Sequence, residues 1–281
     1  MRTPPVGAYG LRVSGIDGVG AWLGPVPEQF PTVHLEFGKG RRPDPDRPDQ
    51  SMTGDRVALE LDLDRRLVVD RVSRAATLAT YWASRPLTVA ERVHPLLTAA
   101  AAVAGAWMGY DSFHAAGIVG TTGVWGVLGD KGSGKSTLAA AMAGKGHPVA
   151  CDDMLALRGT TAFAGPRCLD LRPDAAEHLA MGEDLGADGP RPRWRVALDP
   201  LEAELPLAGW IVLTWGAEVA LTPIAPRDVV VRLGAHQTRP WAPISPVDLL
   251  DLAALPAWEL RRPRAWSSLP AVAAALESAV G

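Results

Sequence analysis

Residues 129–136 read GDKGSGKS and fit the pattern G-x-x-x-x-G-K-[ST], the Walker A or P-loop motif. Its glycines allow the backbone to curl so that N–H groups point at phosphate oxygens. Lys135 can then reach the β- and γ-phosphates of a nucleotide, and the hydroxyl of Ser136 can bind Mg²⁺. The alternative is a glycine-rich turn that binds nothing. The spacing favours a nucleotide site, whose predicted residues are Gly129, Asp130, Lys131, Gly132, Ser133, Gly134, Lys135, Ser136 and Thr137.

Two adjacent carboxylates, Asp152 and Asp153, follow the apolar stretch at 147–151. A strand that ends in acids soon after a P-loop helix can bring them back to the phosphates. One carboxylate can then hold Mg²⁺ while the other accepts the proton of an attacking hydroxyl. The alternative is a helix N-cap followed by a solvated acid.

His114, in DSFHAAGIVG, precedes the strand that leads into the P-loop strand. An isolated histidine is more often structural than catalytic. Its position in the chain predicts that it lies beside the acid pair and polarises it.

The elements around these residues predict an α/β unit. GVWGVL is an apolar strand before the loop, and TLAAAMAG is a helix after it. The positive end of that helix adds to the phosphate site. Further strands are expected at 209–214 and 218–224, with helices starting at Ser245-Pro246 and at Pro270.

The first 85 or so residues predict strands, because apolar residues alternate with polar ones at 33–37 and 57–63. The Pro- and charge-rich stretch at 38–51 is expected to be an exposed loop. A turn is expected at Asp64-Arg65-Arg66. Thr88 and Glu91 have the spacing of a capping box, and Pro95 should interrupt the helix that follows.

Composition narrows the classes of function. The chain has 281 residues, a net charge of −3, and 47% hydrophobic residues. This balance is typical of a globular protein and argues against nucleic acid or an anionic membrane as the main partner. Cys151 and Cys168 are too few for a disulfide framework. With no long apolar N-terminal stretch, a cytoplasmic location is expected.

The segment from His114 to Asp153 resembles HPr kinase/phosphorylase. That family has a histidine before the P-loop, a Gly-His pair after the P-loop helix and a strand that ends in Asp-Asp. The order here is His114, GDKGSGKS, Gly146-His147 and Asp152-Asp153. The detailed match covers about 40 residues.

The resemblance implies a P-loop kinase core of the HPr kinase C-terminal domain type, within the α/β class, at 88–281. A smaller strand-rich α+β region at 1–87 would precede it. Lys135 would bind phosphate, Ser136 and Asp152 would bind Mg²⁺, and Asp153 would be the general base with His114 as its partner. ATP or another NTP would be the phosphate donor.

The chain also departs from the family. The family's metal-binding Glu next to Arg-Gly has no counterpart in FAGPRCLDLRPDAAEHL. Either Asp170 or the P-loop side would take over its role, or the metal shell would be simpler. Three segments, at 93–119, 168–179 and 191–198, resemble the HPr-kinase-like proteins of lasso-peptide gene sets, which are thought to phosphorylate a serine of a ribosomally made peptide.

Arginines downstream of the acid pair are candidates for binding phosphate or substrate, since a guanidinium matches phosphoryl oxygens. Arg193 and Arg195 flank Trp194 in what reads as a Pro-rich loop that can close over nucleotide or peptide. The alternative is a solvated surface loop.

The chain is therefore predicted to be an ATP-dependent kinase acting on a hydroxyl, with a serine of a lasso-type peptide as the expected acceptor. A small hydroxyl metabolite as acceptor and a non-transferring NTP-binding regulatory or assembly protein are the alternatives. A homo-oligomer is compatible with the resemblance.

Overall fold

The computed structural model describes residues 4–37, 54–62, 65–83, 86–188, 191–238 and 244–281. They form a mixed α/β molecule with two sheets of mixed strand direction and one antiparallel sheet. The α/β class is therefore confirmed in this coarse form. The exposed loop predicted at 38–51 lies outside the described residues.

The N-terminal part forms a seven-stranded sheet in the order β3-β1-β2-β4-β7-β6-β5. Its strands are β1 (Val6–Ala8), β2 (Leu11–Ser14), β3 (Gly24–Pro25), β4 (Thr32–Phe37), β5 (Arg56–Asp62), β6 (Arg65–Ser73) and β7 (Ala76–Ala83). The alternating pattern faces the core as expected, since Val33 and Leu35 are buried. The predicted turn is partly wrong: Arg65 and Arg66 already belong to β6, and residues 63–64 lie outside the described part.

A broken helix joins this sheet to the rest of the chain. The capping box is confirmed, because the Thr88 hydroxyl accepts from the Glu91 N–H at 3.2 Å and the Glu91 carboxylate accepts from the Thr88 N–H at 2.8 Å. Helix α1 (Val89–Glu91) leads into a π-helical turn (Arg92–Leu97) and then α2 (Thr98–Trp107). The helix is interrupted at His94, whose backbone is extended (φ −143°, ψ 122°) because Pro95 follows.

Twelve strands follow within the described residues. They are β8 (Asp111–Phe113), β9 (Ala115–Gly120), β10 (Gly123–Leu128), β11 (Val149–Cys151), β12 (Leu155–Arg158), β13 (Thr161–Phe163), β14 (Cys168–Leu171), β15 (Glu183–Asp188), β16 (Arg191–Ala197), β17 (Glu204–Trp215), β18 (Ala220–Pro223) and β19 (Ala257–Arg262). The helices among them are α3 (Lys135–Gly144), α4 (Pro173–Leu179), α5 (Pro226–His236), α6 (Pro246–Ala253) and α7 (Leu269–Val280). One 3₁₀ turn, Gly20–Trp22, lies between β2 and β3, and another, Trp266–Ser268, precedes α7. None of the helices in the described ranges is long and apolar enough to cross a bilayer.

The nine-stranded sheet brings the loop at 129–136, the acid pair and His114 to one edge. Strand β10 runs parallel to β17, and β17 runs parallel to β19. Strand β9 is antiparallel to both β10 and β11, so β11 has the same direction as β10. The carboxyl ends of β10, β11, β17 and β19 therefore meet at one edge of the sheet, where open α/β sheets usually bind ligands.

One hydrophobic core cluster contains residues from both halves of the chain, including Leu35 and Leu67 from the first sheet and Phe113 and Trp210 from the second. The Trp210 ring lies edge-on to Phe113, with ring centroids 5.4 Å apart. A second cluster packs α3 and α7 against the nine-stranded sheet. Burial on both faces gives this sheet a fixed position under the predicted phosphate loop, residues 129–136, which is called the phosphate loop below. The division of the chain at 87/88 stays a prediction.

Candidate active site

The phosphate loop lies between β10 and α3. Gly132 and Gly134 have φ of +85° and +84°, a region that strongly favours glycine. A Cβ at Gly129 would lie 2.6 Å from the Ser133 hydroxyl, so only glycine fits there without movement. The Ser133 hydroxyl is buried and has no hydrogen-bond partner among the described residues. The first-turn N–H groups of α3 also lack partners within the helix. These features fit the oxygens of a polyphosphate.

Lys135, the first residue of α3, is buried and folds back onto the loop. Its Nζ donates to the carbonyl of Gly129 at 2.6 Å and lies 3.5 Å from the carbonyl of Asp130. Burial lowers the pKa of Lys135, and the negative charges of Asp153 and Asp152 oppose that change. The loop therefore places a cation between its own carbonyls and the acid pair. Asp130 and Lys131 are exposed.

Ser136 and Asp152, the two residues predicted to bind Mg²⁺, lie in direct contact. The Ser136 hydroxyl donates to Oδ1 of Asp152 at 2.8 Å, and the Asp170 N–H donates to Oδ2 at 3.3 Å. Burial raises the pKa of Asp152, and the charge of Asp153 raises it further, while the Ser136 hydrogen bond opposes both. A hydroxyl and a carboxylate at this spacing offer the oxygen ligands that Mg²⁺ prefers. No group of three or more metal-ligating acids, histidines or cysteines occurs in the part of the chain that the structure describes.

Asp153 faces two histidines. His114 Nδ1 lies 3.1 Å from Oδ1 of Asp153 and 3.0 Å from its carbonyl oxygen. Both atoms are acceptors, so Nδ1 of His114 carries the proton. On the other side, His94 Nε2 lies 3.5 Å from Oδ2. Asp153 also has φ of +66°, an unusual backbone conformation for aspartate that is often found at functional sites.

These contacts decide the charge of Asp153. Burial by itself raises its pKa, but the His114 hydrogen bond and the positive charges of His94, His114 and Lys135 outweigh burial and hold the pKa well below its usual range. The adjacent carboxylates thus have opposite environments. The sequence left open which acid has which role, and in the structure their contacts differ: Asp152 contacts Ser136, and Asp153 contacts the histidines.

The sequence reasoning missed His94. Besides contacting Asp153, its Nδ1 lies 3.2 Å from the Thr98 hydroxyl, which lies 3.3 Å from the hydroxyl of the buried Tyr9. These hydrogen bonds fix the orientation of the His94 imidazole through its Nδ1 atom. A signal was present, because a residue before proline leaves the helical conformation. Because Pro95 follows, His94 has an extended backbone, and its side chain leaves the helical register.

Arg262, at the end of β19, was also missed. Its guanidinium donates to the carbonyl of Ser133 in the phosphate loop and lies 4.6 Å from the ring centroid of Trp215. Burial lowers the pKa of Arg262, and its Nε has no hydrogen-bond partner within the described ranges. Only the strand order predicts this contact. Strand β19 runs parallel to β17, so Arg262 at its carboxyl end lies at the same edge of the sheet as the loop.

The predicted Pro-rich loop carrying Arg193 and Arg195 is wrong, because these residues lie in strand β16, which pairs with β14 and β15. Arg195 is buried and donates to both carboxylate oxygens of Asp170, at 2.7 and 2.8 Å. Its guanidinium also lies 5.5 Å from the centroid of the Trp22 ring. Arg195 therefore neutralises Asp170 beneath Asp152, whereas the role predicted for Arg193 stays a prediction.

Other candidates have structural surroundings. Arg167 donates to the carbonyls of Val149 and Asp199, at 2.8 and 3.0 Å, and so fixes β11. His147 lies 3.2 Å from a carboxylate oxygen of Glu277 in α7. Cys151 and Cys168 are free and buried. Burial raises the pKa of Cys168 to about 12.

A pocket of about 250 Å³ opens beside Asp153. Asp153, His94 and His114 form its polar side. The site therefore has a phosphate side, made by the loop, Ser136 and Asp152, and a pocket side, made by Asp153 and the histidines.

Comparisons with known proteins leave the family open. No family model matches the chain, and neither does any curated protein. The solved structure of the HPr(Ser) kinase/phosphatase from Coxiella burnetii matches 59% of this chain and 91% of that chain, at 12% identity and a TM-score of 0.29. A TM-score this low carries no argument about fold or activity. The functional conclusion rests on the geometry of the site.

Proposed function

We propose that this protein is an ATP-dependent phosphotransferase that moves the γ-phosphoryl group to a hydroxyl. The observation that carries the proposal is the pair of adjacent carboxylates in two environments. Asp152 bonds to the P-loop serine, while Asp153 lies between two histidines beside a pocket. Binding a nucleotide requires only the first arrangement. Transfer to a hydroxyl also requires a proton acceptor facing a second substrate, which the second arrangement supplies.

On the phosphate side, residues 129–137 would bind the nucleotide, with Lys135 on the β- and γ-phosphates. Ser136 and Asp152 would hold Mg²⁺, which supplies charge neutralisation of the phosphate oxygens when bound. Arg262 would hold the loop in shape through the Ser133 carbonyl and bring further positive charge to it. Arg195 keeps Asp170 neutralised, so that the Asp170 N–H remains directed at Asp152.

On the pocket side, Asp153 would orient the acceptor hydroxyl and take its proton. A bond forms between the acceptor oxygen and the γ-phosphorus, the bond from that phosphorus to the oxygen of the departing ADP breaks, and the proton passes to Asp153. The low pKa of Asp153 keeps it ionised and ready to accept a hydrogen bond at neutral pH. In phosphoryl transfer, positioning and charge matter more than base strength. His114 and His94 hold both carboxylate oxygens in place.

We further propose that the acceptor is a serine of a ribosomally made, lasso-type peptide. The position of strand β5 favours a peptide as the acceptor. Among the described residues β5 pairs only with β6, which leaves its other edge for an extended chain. Leu59, on this strand, lines the pocket beside Asp153. A peptide paired with β5 would therefore run past the proton acceptor. The lasso type follows from the resemblance of three sequence segments.

Incubation of the full chain with Mg-ATP and blocked serine peptides tests this function. We expect ADP release to rise with peptide and the peptide to gain one phosphate by mass spectrometry. Phosphate on free serine or another small hydroxyl compound, with peptides unmodified, would make the protein a metabolite kinase. Slow ADP release that no acceptor changes would indicate a non-transferring nucleotide-binding protein and end the proposal.

A further inference from the structure

The pocket beside Asp153 has apolar walls drawn from distant parts of the chain. Leu59 comes from β5, Ala99 and Ala102 come from α2, and Met154 follows Asp153 itself. The small alanine side chains leave the space between the helix and the acid. The pocket therefore forms where the first sheet and α2 pack against the edge of the nine-stranded sheet that carries Asp153.

The size of the pocket suits one amino-acid side chain. An apolar protein cavity of about 150 Å³ binds benzene, and this pocket measures about 250 Å³. It is smaller than the range of about 300–1,000 Å³ that is typical of sites for whole small molecules. A leucine or phenylalanine side chain, with part of its backbone, fills such a volume.

The charges around the pocket disfavour an anionic group. Among the described lining residues there is no lysine or arginine, and the carboxylate is that of Asp153. The remaining polar groups include the two histidines and the hydroxyls of Thr98 and Thr238. Thr98 is already bonded to His94, and Thr238 donates to the carbonyl of Ser112 at 3.2 Å. A strongly polar acceptor, such as a sugar, would find few partners for its hydroxyls here.

We propose that this pocket binds an apolar side chain next to the serine that receives the phosphate, so that the enzyme selects peptides with an aliphatic or aromatic neighbour at that position. This inference rests on the proposed peptide kinase activity. The apolar neighbour enters between Leu59 and α2, and this places the adjacent serine hydroxyl at Asp153. Binding of the neighbour thus selects the acceptor and positions it.

The test uses blocked peptides that share one serine and differ only in the residue before or after it, which is Leu, Phe, Gly, Asp or Lys. With the full chain and Mg-ATP, we expect kcat/KM for the Leu or Phe peptide to exceed that of the Gly peptide by roughly 10- to 100-fold. The Asp peptide should be the poorest. Equal rates for all five residues, at both positions, would overturn the pocket inference and leave the kinase standing.

Two variants localise the preference. Ala102→Phe should fill the pocket and bring the Leu peptide down to the rate of the Gly peptide, whereas Ala106→Phe, on the same helix but outside the lining, should keep the preference. Leu59→Lys should shift the preference towards the Asp peptide, and Leu61→Lys, on the same face of β5, should not. Melting temperatures with and without Mg-ATP check that each variant is folded. If the preference for the Leu peptide survives both Ala102→Phe and Leu59→Lys, the selection arises outside this pocket and the inference is overturned.

Failure of the proposed function has a different outcome. If no peptide gains phosphate while free serine or 3-methyl-1-butanol does, the side-chain pocket is wrong and a small-molecule kinase remains. If none of these acceptors gains phosphate although Mg-ATP stabilises the chain, the transferase proposal fails, and the pocket inference fails with it.

Discussion

The phosphate side and the pocket side of the site are built from different kinds of contact. On the phosphate side, Lys135 contacts Gly129 and Ser136 contacts Asp152, all within one strand-loop-helix-strand unit. On the pocket side, Asp153 meets His94 and His114, 59 and 39 positions earlier in the chain, and Leu59 comes from another sheet. The first can therefore form wherever this unit folds. The second requires the whole molecule.

The two carboxylates also differ in the direction of their pKa shifts. The pKa of Asp152 is raised by burial, so its ionised form costs stability above its folded pKa unless a cation compensates. The pKa of Asp153 is lowered in spite of burial, so its contacts contribute stability above the unfolded pKa of about 3.9, and that contribution is lost as the pH falls through the folded value. Asp152 therefore favours a nearby cation, whereas Asp153 already has its charged partners in His94 and His114.

The largest effect is expected for Lys135→Ala, which removes the buried cation of the phosphate side. Transfer should be lost together with the stabilisation by Mg-ATP, which for a site at a hundredfold excess over Kd amounts to about 2.7 kcal/mol. Thermal unfolding with and without Mg-ATP measures this. Lys145→Ala is the control, because Lys145 lies just after the same helix in an exposed pair with Glu277. If Mg-ATP does not stabilise the wild-type protein, the proposed binding of nucleotide on the phosphate side is contradicted.

Asp153→Asn should separate the two sides. The amide has nearly the same shape but accepts no proton, so transfer should fall by about 10²–10⁴-fold while Mg-ATP still stabilises the protein. Phosphate gain of the acceptor, measured by mass spectrometry, gives the rate. Asp174→Asn, in the exposed first turn of α4, is the matched control. Should Asp153→Asn transfer normally and Asp152→Asn fail, the roles of the two acids are reversed.

Arg195→Met tests the buried pair that supports the phosphate side. Without Arg195 the Asp170 carboxylate is left buried and unpaired, which typically lowers the free energy of unfolding by about 3–5 kcal/mol. Arg158→Met is the control, because its pair with Glu204 is exposed and should contribute less than about 1 kcal/mol. The double variant with Asp170→Leu should recover much of the loss. Urea unfolding of the wild type, Arg195→Met, Asp170→Leu and the double variant measures the cycle, and a small loss for Arg195→Met would argue against a structural role.

The smallest effect is expected for His94→Gln, since its contact with Asp153 is 3.5 Å against 3.1 Å for His114. As a positioning residue, His94 should contribute roughly 10-fold to kcat, about 1.4 kcal/mol. His114→Gln should cost more. The measurement is kcat and KM over a range of pH, because loss of a histidine beside Asp153 should alter the pH profile, which a loss of packing alone would leave unchanged. An unaltered profile with a normal kcat would remove His94 from the site.

Much of the fold was predictable where the signal is local. The strand at 123–128 matches β10, the helix after the loop matches α3, and Ser245 caps α6 as expected. Errors arose where local composition and tertiary contacts disagree. Residues 191–195 contain a proline and three arginines typical of a loop, yet they belong to β16, which pairs with β14 and β15, and a buried carboxylate neutralises Arg195.

By itself the sequence determined the phosphate loop, the acids that follow it and the helix that begins with the Thr88 cap. Each depends on glycine φ angles, capping hydrogen bonds or alternation over a few residues, which adjacent side chains specify directly. Only the tertiary structure decided which acid bonds to Ser136, which histidines meet Asp153, that Arg262 reaches the loop, and that Leu59 lines a pocket. Those contacts join residues far apart in the chain, and their distances follow from how the sheets and α2 pack, which no local pattern encodes.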